Sequence, residues 1–516
     1  MKRYGFTVLP RLPARRCLLY AFGISWACSA PAANDEAVAN TLRRRVESGL
    51  APLAATKDHR GAHATIADRM RSYGVPGLSI AVIENGQIAW AKGYGTAIGF
   101  SHRPVTRRTL FQAASISKPI SALGVLLLVQ KGLLDLDENV NDKLKSWTVP
   151  DTDLTRTQPV TARMLLNHTA GVTHVQYELD DSFSTGENLP TIVQILKGEE
   201  PARRGSVRVA RLPGTQFDYS GAGYEILQLL VTDVSGRSFE SYMQSEVLRP
   251  LGMTDSTFAQ PLPTARRAEA AFGHYAGGNQ VPGGFRVGPE LTVAGLWTTP
   301  TDVARYILNV QRTMAGANGG PLSTGLAQQM VTPGLGNRGL GPAISGTGAT
   351  ARFGHDGFNE GYESSFVGYI HEGRGAVVMA NSGFAFMLIK EVLSSISRVY
   401  EWPDYGPTTQ QPPDASIRQQ QVIPVSRDIL VAAPGEYAMP QGLTMKIYSR
   451  GRRLFLDWPR DGIAEVFATS DGRFFCPQLT FSELGSPWLQ IIEDRPGVIT
   501  RIKGSYEGGV EFLRVR

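Results

Sequence analysis

Phe111-Gln112-Ala113-Ala114-Ser115-Ile116-Ser117-Lys118-Pro119 decides the reading of the chain, because it sets a Ser and a Lys three residues apart before an apolar run. Pro119 to Gln130 is apolar nearly all round (Ile120, Leu123, Val125, Leu126, Leu127, Leu128, Val129), which predicts a buried helix ending before Gly132. Proline is favoured in a first helical turn. Ser115 and Lys118 then face the same side, one turn from each other. A helix N-terminus carries about half a positive charge, which favours an alkoxide forming on the Ser oxygen. A Lys in a partly dry pocket near other cations holds its proton less tightly and can accept that of the Ser. Alone, S-x-x-K is a frequent chance match, equally well read as a capping Ser beside a solvated Lys.

Two later segments add weight. Tyr219-Ser220-Gly221 follows Pro213-Gly214 at the entry to a helix predicted over Tyr224 to Val234 and closed by Gly236. His355-Asp356-Gly357 comes just before a strand-like run, Ser364 to Ile370, and a second one follows at Ala376 to Ala380. In this order the three motifs resemble those of the serine β-lactamase and penicillin-binding-protein superfamily, in its class C-like branch, where S-x-x-K, Y-x-N and K-T-G or H-x-G line one acylation site. Leu165-Leu166-Asn167-His168-Thr169-Ala170-Gly171, Pro250-Leu251-Gly252-Met253 and Trp297-Thr298-Thr299-Pro300 are similar too. The likeness runs from about Gly77 to Tyr400.

The resemblance implies a role for each matching residue. Ser115 attacks a carbonyl and is acylated, while Lys118 and Tyr219 form the base network. A phenol titrates near ~10, so Tyr219 needs the neighbouring cation to work at neutral pH. His355 stands where a lysine is usual and supports the substrate carboxylate and Tyr219. The backbone N–H groups of Ser115 and Phe358 form the oxyanion hole, and Gly357 and Gly221 line the substrate site. No cofactor is implied. Gly221 replaces the family's Asn, which contacts a substrate amide. Together with His355 this favours esterases and peptidases, acting on a small molecule or short peptide, over a β-lactamase. A catalytically silent relative that binds peptidoglycan fragments or β-lactams is the other alternative; retention of Ser115, Lys118, Tyr219 and His355 argues against it.

Other candidates weigh less. Gly334-Leu335-Gly336-Asn337-Arg338-Gly339 matches G-x-G-x-x-G but sits in a Gly/Pro-rich stretch without a strand before it, and reads as a loop. G-x-S-x-G is absent, which excludes a nucleophile elbow. His168 reads as a buried histidine capping the Asn167–Gly171 turn, Ser117 as structural, and Phe111 and Trp297 as core aromatics. His174 and Tyr177 are candidates for the cleft wall. His59 and His63 flank a Gly and lack a Glu between them, so they read as a solvated pair rather than metal ligands.

Composition bounds the rest. The chain has 516 residues, 42% apolar and 19% charged, a globular profile with room for two or three units. Five of the six net positive charges fall in the first sixteen residues (Lys2, Arg3, Arg11, Arg15, Arg16), so the overall basicity gives no support for nucleic-acid binding. That basic stretch, the apolar run Cys17 to Ala27 and Ala30-Pro31-Ala32 form an export signal over 1–32, which predicts a periplasmic or extracellular protein. The apolar run is shorter than the ~20 residues of a stable membrane span. Ser25, three before Cys28, argues against a lipid anchor there. Only Cys476 remains in the mature chain, so no internal disulfide is expected.

Asp35 to Glu47 predicts an exposed, Arg-rich helix. Asn85-Gly86 between Leu78–Val82 and Gln87–Trp90 predicts a hairpin, since both turn residues need positive φ. Strands at both ends with helices between them predict an α+β domain over 33–402, an antiparallel sheet flanked by helices plus a helical subdomain. Residues 403–427, with Pro412-Pro413 and Gln419-Gln420-Gln421, read as a linker. Alternation at Leu443, Met445, Ile447 and at Leu454, Leu456, with short runs at Phe474-Phe475, Trp488 to Ile492 and Phe512 to Val515, predicts a small all-β barrel over 428–516. It resembles the lipocalin-like domain of exported relatives, where such a barrel narrows the site mouth or bridges subunits.

Overall fold

The computed structural model describes residues 33–51, 63–99, 103–174, 182–275, 278–317, 319–383, 385–405, 422–438, 444–458, 462–469, 473–475, 488–495, 498–504 and 510–515. The expected export signal over 1–32, with Cys17 and Cys28, lies outside these, as do His59, Tyr177 and Cys476.

The first unit is organised on a six-stranded antiparallel sheet. Its order is Gln87–Gly95, Gly77–Glu84, Gly375–Ala380, Tyr362–Tyr369, Arg352–Asn359 and Ala343–Ser345. The first two strands form the expected hairpin, with Asn85 and Gly86 at φ 53° and 70°. Gly77–Glu84 then pairs with a strand from the far end of the unit, Leu78 opposite Ala380 and Ile80 opposite Val378. This strand is buried on both faces, so the two-residue period divides its side chains between two cores. Ala81 and Ile83 join Val377, Met379 and Phe366 in one core, with Tyr306 and Ile307 of the helix Pro300–Met314. Leu78, Ile80 and Val82 join the other, beneath the helix Phe386–Val399.

Helices cover both faces. Ala33–Ser48 is helical as expected but not wholly exposed: Val46 is fully buried, and Ser395 Oγ donates to its carbonyl at 3.0 Å. Even a polar helix hides one stripe when a second layer lies beneath it. The apolar helix runs Ser117–Gln130, two residues ahead of Pro119, and Gly132 takes φ 68° beyond its end. First-turn N–H groups have no partner within the helix, so a proline there costs nothing.

The second unit is built on β-strands, with one short helix among its described residues, Arg427–Ala432, packed against its core. Eight strands (Gly435–Ala438, Thr444–Arg450, Arg453–Trp458, Gly462–Thr469, Phe474–Phe475, Trp488–Arg495, Val498–Gly504, Val510–Arg514) each pair antiparallel with the next. The last returns to the first, Tyr437 opposite Arg514, which closes the ring. Met445, Ile447, Leu454 and Leu456 alternate into its core. The stretch 403–427 is described only at its ends, and both carry structure. Pro403 O accepts from Tyr369 Oη at 2.6 Å, Val422–Ile423 pairs with Ala468 and Thr469, and Ser426 caps the helix Arg427–Ala432.

Candidate active site

The short strand Phe111–Gln112 pairs with Trp297–Thr298 and leads into a 3-10 turn, Ala114–Ile116, that runs on into the helix Ser117–Gln130. Ala114 takes φ 50°, a left-handed conformation that costs a residue with a Cβ and persists only where its surroundings enforce it. The enforcement is visible. Ala113 N–H donates to Leu296 O at 2.9 Å, Leu296 N–H donates to Ser117 Oγ at 3.1 Å, and Ser364 Oγ donates to Ala113 O at 3.0 Å. Ser117 is thus a structural acceptor. The half-buried Ser115 sits on this bend. Lys118, 1% exposed, donates from Nζ to Ser115 Oγ at 2.9 Å and to Val293 O at 3.2 Å. Its Nζ also lies 4.8 Å from the Tyr219 ring centroid.

Tyr219 reaches this point through His168. Asp218 N–H donates to His168 O at 2.8 Å, and Ser220 N–H donates to His168 Nδ1 at 3.1 Å, so His168 holds the residues on both sides of the tyrosine. The two rings lie 4.3 Å apart. Burial, then the cations Arg338 and Lys118 and the nearby His355, push the His168 imidazole well below its ordinary range. The ring is neutral, and because Nδ1 accepts, its proton sits on Nε2. His168 is buried as expected, but its ring does not cap the Asn167–Gly171 turn: at φ 61° the backbone aims it at the Tyr219 segment. Within the turn, Thr169 Oγ1 donates to Asn167 Oδ1 instead, at 2.7 Å.

Ser220 caps the helix Gly221–Ser235, accepting from Gly223 N–H at 3.1 Å while donating to Val172 O at 2.7 Å. A Cβ built on Gly221 would stand 3.7 Å from Val293 Cγ1 and 4.0 Å from Arg204 Nη1. These are ordinary contacts, so the backbone does not require glycine there.

The strand Arg352–Asn359 supplies the opposite wall. His355 lies opposite Phe366, its Nδ1 donates to Asp356 O at 2.6 Å, and its ring centroid is 6.3 Å from that of Tyr219. Asp356 turns to the other face, where Lys390 Nζ lies 3.0 Å from its carboxylate and Ser365 Oγ donates to it. Burial works to raise the Asp356 carboxyl, but Lys390, Ser365 and His355 outweigh it and hold it below its ordinary value. A Cβ on Gly357 would come within 2.3 Å of Ala113 O and 2.5 Å of Ser364 Oγ. Only glycine lets this strand lie against the Ser115 turn. Phe358 follows and is 40% exposed.

The structure therefore gathers Ser115, Lys118, Tyr219, His355, Gly357 and Gly221 into one region. The strand Val172–His174 pairs with Val207–Val209, whereas the His174 side chain lies outside the described residues. Sequence reasoning missed Arg338. The glycine-rich segment around it is a loop as expected, and a Cβ on Gly336 would meet the Phe217 ring at 2.4 Å. That close packing delivers the buried Arg338 guanidinium over Phe217 and Tyr219, 5.4 and 5.5 Å from their centroids. It also missed Gln112 and Asn359, whose amides meet across the site at 2.9 Å. No local pattern marks any of the three.

Comparison with known proteins bears on the fold and the family. The family model for Beta-lactamase matches residues 62–388. Penicillin-binding protein 4* of Bacillus subtilis (strain 168) is 23% identical over 426 residues, 78% of this chain and 88% of that protein. Protein flp of Staphylococcus aureus (strain COL) is 27% identical over 186 residues, 36% of this chain, and the match spans only 35% of that relative's own length. Among solved structures, the octameric penicillin-binding protein homologue from Pyrococcus abyssi aligns with a TM-score of 0.56 at 21% identity, covering 87% of this chain and 98% of that one. The D-amino acid amidase from Ochrobactrum anthropi SV3 aligns with a TM-score of 0.54 at 21% identity, covering 70% of this chain and 99% of that one. These structural likenesses establish the fold, and the family match covers well over half of the sequence: the chain belongs to the beta-lactamase family.

Proposed function

We propose that this protein is an exported serine hydrolase of the class C-like branch, working through an acyl-serine intermediate on small peptides, amides or esters. The observation that carries the reading is the 2.9 Å hydrogen bond between Lys118 Nζ and Ser115 Oγ, made by a lysine shut away from water. Ser115 Oγ attacks the substrate carbonyl, and its proton passes into the Lys118–Tyr219 network. The backbone N–H groups of Ser115 and Phe358 receive the oxyanion. The network returns the proton to the departing amine or alkoxide, which leaves Ser115 esterified. Water then attacks that ester with the same network as base, releasing the acid and free Ser115. His355 supports Tyr219. With Gly221 no side chain reaches from that position toward a substrate amide, which favours ester and peptide substrates over β-lactams.

The hydrolase unit spans 33–402, and 403–427 joins it to a lipocalin-like barrel over 428–516; the closed ring of eight strands supports that likeness. Among the described residues no helix is long and apolar enough to cross a membrane.

Intact-mass spectrometry of the mature protein after exposure to a fluorophosphonate tests the reading. One adduct on the wild type and none on Ser115→Ala is the expected result. A folded wild type that takes no label overturns it. Panels of esters, D-amino acid amides and a chromogenic cephalosporin then sort the substrates, and rapid cephalosporin turnover would make the protein a β-lactamase.

A further inference from the structure

Four residues outside the three motifs form a closed ring beside the site. Asn359 Nδ2 donates to Gln112 Oε1 at 2.9 Å, and Gln112 Nε2 donates to Arg286 O at 2.7 Å. The Arg286 guanidinium grips the Glu360 carboxylate with Nε at 2.8 Å and Nη2 at 3.2 Å. Glu360 follows Asn359 in the chain, so the circuit closes. Gln112 is 3% exposed and stands three residues before Ser115. Asn359 directly follows Phe358 and lies opposite Tyr362 at the hairpin end. Tyr275 Oη and Ser182 Oγ also donate to Glu360, and Ser184 Oγ accepts from Arg286 Nη1 at 2.6 Å, so the circuit is anchored to two further loops.

A hairpin tip normally frays. This one is tied at consecutive residues, once to the strand that leads into the Ser115 turn and once to the loop which that strand also holds. Resting on the hydrolase reading above, we infer that Gln112, Asn359, Glu360 and Arg286 are positioning residues that set the Phe358 N–H against the Ser115 N–H. They fix the spacing of the oxyanion hole without touching the substrate. An oxyanion donor acts through distance, and displacement by an ångström costs a large part of the rate. Gly357 against Ala113 O prevents the strand from moving closer; the ring prevents it from moving away.

The test measures Asn359→Ala and Glu360→Gln with a p-nitrophenyl ester and an arylboronic acid, which mimics the tetrahedral oxyanion. In both variants kcat is expected to fall about 10- to 100-fold with KM within about twofold. Boronate affinity falls by the same factor as kcat/KM. The double variant loses little more than the worse single one, because both cuts open one circuit. If folded Asn359→Ala and Glu360→Gln keep kcat within threefold of the wild type, the ring is only structural and the inference is overturned. The same holds if the loss appears in KM while boronate binding is unchanged. Should Asn359→Ala fail to fold, Glu360→Gln decides alone. A wild type that turns over no ester and takes no fluorophosphonate overturns the hydrolase reading itself, a result distinct from an active wild type with unimpaired variants.

Discussion

Charged groups are buried on both sides of the six-stranded sheet, and the two sides treat them differently. On the helix Phe386–Val399, Glu391 is fully buried, 2.9 Å from Arg69 Nε, and accepts from Tyr73 Oη at 2.7 Å. Both contacts go to side chains that pack the helices together. On the other side Lys118 is as deeply buried, but its hydrogen bond goes to a half-buried serine hydroxyl on a strained turn. A buried charge that ends on structural partners holds elements together; one that ends on a hydroxyl at the edge of water is placed to move a proton. Neighbouring residues divide along the same line. His355 and Asp356 of one strand serve opposite faces, the first near Tyr219 and the second on Lys390.

Substituting each buried charge should separate the two sides most sharply. Lys118→Met is expected to lower ester hydrolysis about a thousandfold or more, with a Tm at or above that of the wild type, because an apolar side chain replaces a buried amine. Kinetics beside a thermal melt checks it, and a Lys118→Met protein that unfolds easily would show that the lysine is a structural pin after all. Gly357→Ala should come next. The Cβ collides with Ala113 O, so fluorophosphonate labelling slows about 100-fold while the far side of the sheet is undisturbed. Labelling at the wild-type rate would show that the strand has room to retreat.

Glu391→Gln should do the reverse. It leaves labelling unchanged and costs about 1–2 kcal/mol of stability by loosening the contacts that the carboxyl makes with Tyr73 and Arg69, read in urea melts. Slower labelling at equal occupancy of the folded state would join the two sides into one system.

The smallest effect is the pH dependence, and its sign differs between the two carboxylates. Burial foremost raises the Glu391 carboxyl above its ordinary 4.5, despite Tyr73 and Arg69. Its contribution is therefore fully present below 4.5 and is lost as pH rises through the folded value. Asp356 is held below its ordinary 3.8, so its contribution is present above 3.8 and is lost as pH falls through the folded value. Urea melts between pH 3 and 7 should show the stability gap between wild type and Glu391→Gln widening toward acid. The gap to Asp356→Asn should narrow there. Parallel slopes would contradict the division.

Much of this plan was legible from the residues. The Asn85-Gly86 hairpin, the apolar helix after Lys118 and the alternating strands after Leu443 each carry a local, periodic signal. The three motifs likewise announce their chemistry by residue type and order. What was not legible lies between segments far apart in the chain. Nothing around Gln112 points to Asn359, and the ring of His168 was read against its own turn although it serves Tyr219. Arg338 was passed over because the glycines around it were compared with a phosphate-binding pattern. Gly336 instead lets the loop lie flat on Phe217, and Gly339 lies against the Met330 carbonyl. Helix Ala33–Ser48 was read by its polar majority, and the stripe that includes Val46 escaped notice.

The pairing of Leu78 with Ala380 has a consequence for the order in which the molecule is made. A ribosome delivers Gly77–Glu84 early, and one flank of this apolar strand must wait for a partner until Gly375–Ala380 has been synthesised. Through that interval the strand presents open N–H and C=O groups to whatever is nearby, a setting in which nascent chains associate wrongly. The helices between the two strands consist of local contacts and form without waiting. The sheet that holds His355 and Gly357 against Ser115 is therefore completed late, and the protein becomes competent only near the end of its own folding.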